Sequence, residues 1–194
     1  MTTRLGLAGS RGWGLDAAVD GVAALIGLPG QVVTVRFRGR RCTVLAQLHP
    51  HGLTCRPPHC REPITDVMSL ELVSGSGQAP DWPRPVCVHA VIETGRDALR
   101  TVHRASRWAS YAARVALVPA ERVSERACLE ASLLGVWVIT AGEPSRVVVT
   151  GEGGPVPRAR RGVAHRLLDE VIAQALLTGS AAEADDLRLE CEPS

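Results

Sequence analysis

The feature that most constrains the fold is the alternation of strand patterns with helical patterns between residues 64 and 150. Apolar residues alternate with polar ones or run together in the strand segments, and they recur every three or four positions in the helical segments. This order favours an α/β domain over an all-helical or all-β one. The predicted strands are 67–72, 86–92, 115–119, 136–140 and 147–150, and the predicted helices are 98–111 and 121–134.

Elements outside this region extend the sheet and cover it. Apolar residues at helical spacing predict a first helix over 15–26, and alternating residues on either side of Gly39 predict a β-hairpin. The strongest amphipathic pattern of the chain predicts a C-terminal helix over 163–177. The sequence therefore predicts a mixed central sheet flanked by helices, with the C-terminal helix added to that core.

The 194 residues are enough for one domain with its own core. We expect residues 1–154 to form the α/β core, including the N-terminal helix and the basic hairpin. Residues 155–179 are expected to be a basic linker followed by the C-terminal helix. Residues 180–194 are acidic and poor in large apolar side chains, so we expect a disordered tail.

All 22 positively charged residues are arginines, which excludes chemistry that needs a lysine, such as Schiff-base formation. The formal net charge of +2 is too small to indicate a nucleic-acid partner, so only local clustering of arginines can do so. No apolar run approaches the roughly 20 residues of a membrane span. The N-terminal residues lack a secretory pattern, and we therefore expect a cytoplasmic protein that does not enter a membrane.

Arginines cluster at two places in the chain. In the predicted hairpin, alternate arginines would stand on one strand face at intervals of roughly 7 Å, comparable with successive phosphates of DNA. The second cluster precedes the C-terminal helix, whose N-terminus favours anions. A solvated surface in an arginine-rich chain is the alternative interpretation of both. The predicted DNA-binding residues are Arg36, Arg38, Arg40 and Arg41 in the hairpin, and Arg158, Arg160 and Arg161 before the helix.

Histidines and cysteines are concentrated in residues 49–60. The segment contains prolines and has no periodicity, which predicts a loop or a metal-stabilised knuckle. Zinc prefers four nitrogen or sulfur ligands in a tetrahedral arrangement. A proline-rich loop with incidental histidines and cysteines is the alternative. The predicted ligands are Cys55, Cys60, His51 and His59, with His49 and Cys42 as further candidates.

Four short motifs follow one another between residues 64 and 150. They are Ile64-Thr65-Asp66-Val67, then Val88-His89-Ala90-Val91-Ile92-Glu93, then a strand that ends in Val118-Pro119, then Leu134-Gly135-Val136-Trp137-Val138-Ile139. Their order and spacing resemble the core of the restriction-endonuclease-like, or PD-(D/E)XK, nuclease superfamily. In that family a strand with an acidic residue precedes a strand with an acid-x-lysine pair. The resemblance implies a domain that contacts DNA and cleaves it with the help of Mg²⁺.

The same resemblance implies which residues would form the site. Asp66 stands where the family has its first acid, but the stretch around His89 has neither the acid nor the lysine of the pair. Glu93, further along the same strand face, would supply the second carboxylate for Mg²⁺. His89 would be a general base or a metal ligand, and Arg96 or Arg104 would supply positive charge. In the alternative, Asp66 caps a strand, His89 is a core histidine with its hydrogen bonds satisfied, and Glu93 starts the next helix.

Three functions remain open from the sequence. The first is a DNA-contacting domain of this superfamily, either a divergent metal-dependent nuclease or a descendant that has lost its activity. The second is a non-enzymatic interaction protein whose C-terminal helix docks on a partner protein or on a second copy. The third is a structural subunit of a larger complex that is stabilised by zinc.

Overall fold

The computed structural model describes residues 15–74, 82–154 and 162–179 of the chain. Within these residues five α-helices and six β-strands form, which confirms the predicted α/β class. The helices are α1 (Leu15–Ile26), α2 (Val67–Ser74), α3 (Ala98–Ser106), α4 (Glu125–Leu133) and α5 (Val163–Thr178). The strands are β1 (Gln31–Phe37), β2 (Arg40–Leu48), β3 (Val86–Thr94), β4 (Ala113–Pro119), β5 (Trp137–Ala141) and β6 (Arg146–Val149).

The strands form one mixed sheet in the order β1-β2-β3-β4-β5-β6. β1, β2 and β3 are antiparallel neighbours, β3, β4 and β5 run parallel, and β6 returns antiparallel to β5. The parallel steps occur where α3 and α4 separate the strands, because a parallel connection needs a crossover. β1 and β6 are the two edges of this sheet.

Helices cover both faces of the sheet. Side chains alternate along a strand, so Val115 and Leu117 of β4 pack with α1, whereas Ala116 and Val118 pack with α3 and α4 on the other face. α5 packs over β1, β2 and β3. The predicted mixed sheet flanked by helices, with an added C-terminal helix, is confirmed.

One predicted strand is a helix. Residues 67–72 belong to α2, because Asp66 starts a helix there: its carboxylate accepts a hydrogen bond from the Ser69 N–H at 2.7 Å. The neighbour of β3 on the side away from β4 is β2, which has no acidic residue. Of the predicted strands at 67–72, 86–92 and 115–119, the last two are neighbours in the sheet and the first is not a strand.

The other elements follow the predictions closely except at one end each of α3 and α4; α4 begins at Glu125 instead of near residue 121. α1 and the hairpin form where expected, and α5 begins at Val163 and ends at Gly179, which has a φ of 63°. α3 ends at Ser106 instead of near residue 111, and Tyr111 is fully buried in the segment that follows. The predicted linker 155–161 and tail 180–194 lie outside the described residues. None of the described helices is long and apolar enough to cross a membrane.

Candidate nucleic-acid interface

The hairpin between β1 and β2 has arginines around a two-residue turn. Phe37 lies opposite Arg40, so Arg38 and Gly39 form the turn. Both turn residues have a positive φ, 50° and 69°, as a type I′ turn requires. Glycine adopts this conformation freely, whereas for an arginine it costs about 1 kcal/mol. The turn therefore keeps an arginine where glycine would be more stable.

The four hairpin arginines surround the tip instead of sharing one strand face as predicted. Arg36 and Arg41 lie directly opposite each other in the register. Arg40 lies opposite Phe37, which packs on the core beneath α5, so Arg40 belongs to the other face. The guanidinium carbon of Arg38 lies 5.8 Å from the centroid of the Phe37 ring. All four arginines are exposed.

Three of these arginines lack a carboxylate partner within the described residues. No ion pair there involves Arg38, Arg40 or Arg41. Elsewhere in the described chain, six arginines do pair with a carboxylate. These are Arg56, Arg84, Arg104, Arg114, Arg126 and Arg166. The positive charge of the hairpin tip is therefore available to an anionic partner.

The hairpin tip lies at the end of the sheet where the parallel strands finish. Thr43 of β2 is opposite Ile92 of β3, which brings Arg41 level with Thr94 at the end of β3. Arg96 follows two residues later and is exposed. Ligands of open α/β sheets commonly bind beside the carboxyl ends of such strands. The basic tip thus stands at the edge where a ligand is expected.

The second arginine cluster stands before α5. Arg158, Arg160 and Arg161 lie outside the described residues, so their contribution to DNA binding stays a prediction. α5 itself begins after Gly162, which has no side chain that could cap the first backbone N–H groups of the helix.

Asp66 is placed apart from the sheet, at the start of α2. Its hydrogen bonds from Ser69 lower the pKa of its carboxyl group and stabilise the charged form. α2 packs on α5 and is not part of the sheet. The expectation that Asp66 lies on a strand beside the strand of Glu93 is wrong, and so is the alternative that it caps a strand, because its carboxylate caps the helix α2.

Glu93 lies in β3, as the resemblance requires, but its carboxylate already accepts one hydrogen bond from the protein and lies beside a guanidinium. The Trp108 indole N–H donates to Oε1 at 3.0 Å, and Nε of Arg104 lies 3.4 Å from Oε2. Burial and the nearby charge of Glu93 raise the pKa of the Cys42 thiol to about 12. Glu93 therefore connects β3 to α3 and the turn after it.

His89 occupies a β-bulge. The register between β2 and β3 shifts between Leu45 and Ala46, and His89 has no residue opposite it. Its Nε2 atom is buried without a hydrogen-bond partner in the described chain, and burial lowers the pKa of its imidazole. The alternation that placed His89 on one face with Glu93 is interrupted at this bulge.

The histidine- and cysteine-rich segment is a series of turns with an arginine at its centre. Arg56 donates from Nε to the Gly52 carbonyl at 2.9 Å, and its Nη1 lies 3.4 Å from the Cys60 carbonyl oxygen. Cys60 is buried, whereas Cys55 and His51 are exposed. The side chain of His59 lies outside the described part. In that part no three His, Cys, Asp or Glu side chains are grouped as metal ligands, and zinc binding stays a prediction.

Arg56 also belongs to a buried ionic network on α5. It donates to both carboxylate oxygens of Glu170, at 2.9 and 2.8 Å. Arg166 donates to the same carboxylate at 3.0 Å and to the carbonyl of Trp82 at 3.1 Å. The Ile64 N–H also donates to the Glu170 carboxylate, at 3.2 Å. Glu170 thus anchors both segments that flank α2 to the C-terminal helix.

A second buried carboxylate, that of Asp169, joins the segments just before β3 and β4 to α5. It accepts hydrogen bonds from Arg84 and, at 2.6 Å, from the Tyr111 hydroxyl. Burial and the Asp169 charge raise the pKa of Tyr111 well above its usual value, so the phenol remains a donor. The His165 ring stacks on Tyr111, with 5.1 Å between the ring centroids. These contacts hold α5 against the segments that lead into β3 and β4.

The sequence contained one signal for this network. Asp169 and Glu170 stand together between apolar pairs, in Leu167-Leu168-Asp169-Glu170-Val171-Ile172. A helix in which apolar residues both precede and follow two adjacent acidic residues is expected to be buried all round. Buried carboxylates need partners. The identity of the partners, far away in the chain, had no signal.

An exposed apolar surface lies on α4 and β6. Leu129 and Leu133 of α4 are 62% and 77% exposed, and Val148 of the edge strand is 44% exposed. A depression of about 720 Å³ lies between these two elements and is open to solvent. By contrast, the apolar side of α5 is packed on the sheet.

Comparison of the chain with protein-family models, with curated proteins and with solved structures finds no match. The fold and the contacts described above are therefore the basis for assigning a function.

Proposed function

We propose that this chain is a non-enzymatic domain that binds the phosphate backbone of duplex DNA through the tip of the β1–β2 hairpin. The observation that carries the proposal is the group Arg38, Arg40 and Arg41, which surrounds one turn without a carboxylate partner in the described chain. Arg38 adds a second argument, because a residue kept in a less stable backbone conformation often serves a function.

The shape of the hairpin supports duplex DNA as the ligand. The major groove of B-DNA admits a two-stranded β-ribbon, and exposed arginines on both faces of such a ribbon reach phosphates on either side. Phe37, the aromatic residue of the hairpin, packs on the core and contributes no open platform for base stacking. Contacts of this kind position DNA without reading its sequence.

Of the two forms of the resemblance to restriction-endonuclease-like proteins, the proposal adopts the descendant that has lost its nuclease activity. The order β3-α3-β4-α4-β5 agrees with the resemblance from Val88 to Ile139, whereas the first motif, Ile64–Val67, leads into α2 and not into a strand. Catalysis by Mg²⁺ would need converging carboxylates. Asp66 caps α2, and the Glu93 carboxylate is held by Trp108 and Arg104. These contacts favour a descendant that binds DNA without cleaving it.

Duplex binding by matched variants tests the proposal. An Arg38→Gln, Arg41→Gln variant should bind two duplexes of unrelated sequence roughly tenfold more weakly than the parent, and to the same extent for both. The control is an Arg61→Gln, Arg107→Gln variant, which removes the same charge from exposed positions outside the hairpin. Equal affinity of parent and hairpin variant would reject the proposal.

A protein-interaction role is a second candidate, favoured by the exposed Leu129, Leu133 and Val148. Contiguous exposed apolar surface commonly marks a protein interface. Because α5 is packed on the sheet, α4 replaces it as the helix that would dock on a second copy. Sedimentation of the parent over a range of concentrations should then show a dimer that Leu129→Ser, Leu133→Ser dissociates. A parent that is monomeric throughout would reject this candidate.

A further inference from the structure

β1 is an open edge of the sheet. It pairs with β2 over all seven residues, Gln31–Phe37, without a bulge. In an antiparallel pair alternate residues direct their backbone groups away from the partner, so half of the β1 groups have no strand partner in the described chain. β6, the other edge, has four residues and a register shift in its pairing. β1 is therefore the edge that can accept another strand.

The chain after α5 contains a short strand pattern. Leu187, Leu189 and Cys191 alternate with Arg188 and Glu190. These residues belong to the segment 180–194, which has five acidic residues and one arginine. The segment therefore combines a strand pattern with strong negative charge.

This pattern is within reach of β1. α5 lies over β1, β2 and β3 and ends at Thr178. The eight residues that follow Gly179, up to Leu187, span about 26 Å when extended. β1 and β3 are separated by two strand spacings, or about 10 Å. The connection is therefore long enough to pass from α5 around the edge of the sheet.

The charges of the two segments are complementary. Asp185 and Asp186 precede the strand pattern, and Glu190 and Glu192 lie at its other end. Acidic residues thus flank the pattern on both sides. Whichever way the pattern runs along β1, one acidic pair comes beside the arginines of the hairpin tip.

We propose that residues 187–191 add to β1 as a further strand, and that their acidic flanks pair with Arg38, Arg40 and Arg41 at the hairpin tip. Backbone hydrogen bonds to the open edge would hold the segment, and the carboxylates would pair with arginines that lack such a partner in the described chain. The segment would then compete with DNA phosphates for the same charges. Only this competition rests on the proposed function, because the docking needs no DNA.

Amide hydrogen exchange of the full chain tests the docking. The variant Leu187→Ser, Leu189→Ser removes the apolar side chains of the pattern, and Ala181→Ser, Ala182→Ser is the control in the same segment. In the parent and the control, consecutive amides of β1 should be protected; in the variant, every other amide should lose its protection. Alternating protection already in the parent would overturn the inference. Protection that rises with protein concentration would assign the edge to a second copy and also overturn it.

Duplex binding then tests the competition separately. The Leu187→Ser, Leu189→Ser variant should bind DNA about fivefold to tenfold more tightly than the parent, as expected if the segment occupies the hairpin in some 80–90% of molecules. Unchanged affinity in a variant that has lost its β1 protection would overturn the competition. If neither chain binds DNA, the proposed function fails with the competition, while the exchange result still decides the docking.

Discussion

Arg56 donates two hydrogen bonds to Glu170 across 114 positions of the chain, at 2.9 and 2.8 Å. The two side chains are 0% and 1% exposed, so water does not screen either charge. Arg166 donates to the same carboxylate. Removal of one member of such a network leaves the opposite charge buried and unpaired, which is costlier than losing an exposed pair.

We therefore expect Glu170→Ala to lower the free energy of unfolding by about 3–5 kcal/mol. Urea denaturation followed by circular dichroism measures the change. Glu121→Ala, at an exposed position, is the control and should change stability by less than about 0.5 kcal/mol. A loss below about 1 kcal/mol for Glu170→Ala would mean that water reaches the network after all.

Asp66 should behave as a helix cap. Asp66→Ala removes the acceptor for the Ser69 N–H and should cost about 1 kcal/mol of stability, whereas Asp66→Asn keeps an acceptor and should cost much less. Thermal or urea unfolding of the two variants distinguishes these outcomes. Equal losses for both would show that the negative charge matters and not the capping bond.

Stability should fall below neutral pH because of two partly buried imidazoles. Burial, and to a smaller extent Arg84, lower the pKa of His165 against an opposing effect of Asp169, and burial lowers that of His89. The unfolded chain, with ordinary histidine pKa values near 6.5, then binds more protons than the folded one. Unfolding free energy should therefore decrease as the pH falls from about 7 to 5.5.

His165→Phe, which keeps a ring for stacking on Tyr111, should make this decrease smaller. His51→Gln, at an exposed position, is the control and should leave the decrease unchanged. The measurement is urea denaturation at several pH values within that window. A pH dependence that is identical in the parent and in His165→Phe would contradict the role given to His165.

Arg38 should lower the stability of the fold and strengthen duplex DNA binding. Arg38→Gly places the favoured residue at a φ of 50° and should raise stability by up to about 1 kcal/mol. The same change removes a charge from the hairpin tip and should weaken duplex binding. Stability and affinity measured on one preparation check both effects, and a variant that is more stable and binds equally well would remove Arg38 from the interface.

The sheet and its covering helices could be predicted because elements buried on one side have apolar residues at regular spacings in the sequence. The pattern over 163–177 predicted α5, and the apolar runs predicted β3, β4 and β5. The pattern over 67–72 misled because alternation over six residues also fits a short helix that buries Leu70 and exposes Met68 and Leu72. Asp66 before that run was the competing signal for a helix start.

The candidate site was less predictable because its geometry depends on pairing. The arginines of the hairpin were visible in the sequence, but the position of the turn decided that Arg38 lies in it and that Arg40 and Arg41 fall on opposite faces. The bulge at His89 interrupts an alternation that the sequence had presented as continuous. Partners of Glu93, such as Trp108, depend on how α3 packs on β3, and local patterns contain no information about that packing.

The salt dependence of duplex binding tests the central claim most directly. The logarithm of the parent's association constant should fall linearly with the logarithm of salt concentration, because arginines that neutralise phosphates release counterions. Arg38→Gln, Arg41→Gln should reduce that slope by up to about 2, since each lost phosphate contact removes roughly 0.9. Arg61→Gln, Arg107→Gln should keep the parent's slope. A hairpin variant with the parent's affinity and slope would show that the basic tip is a solvated surface and not a DNA-binding site.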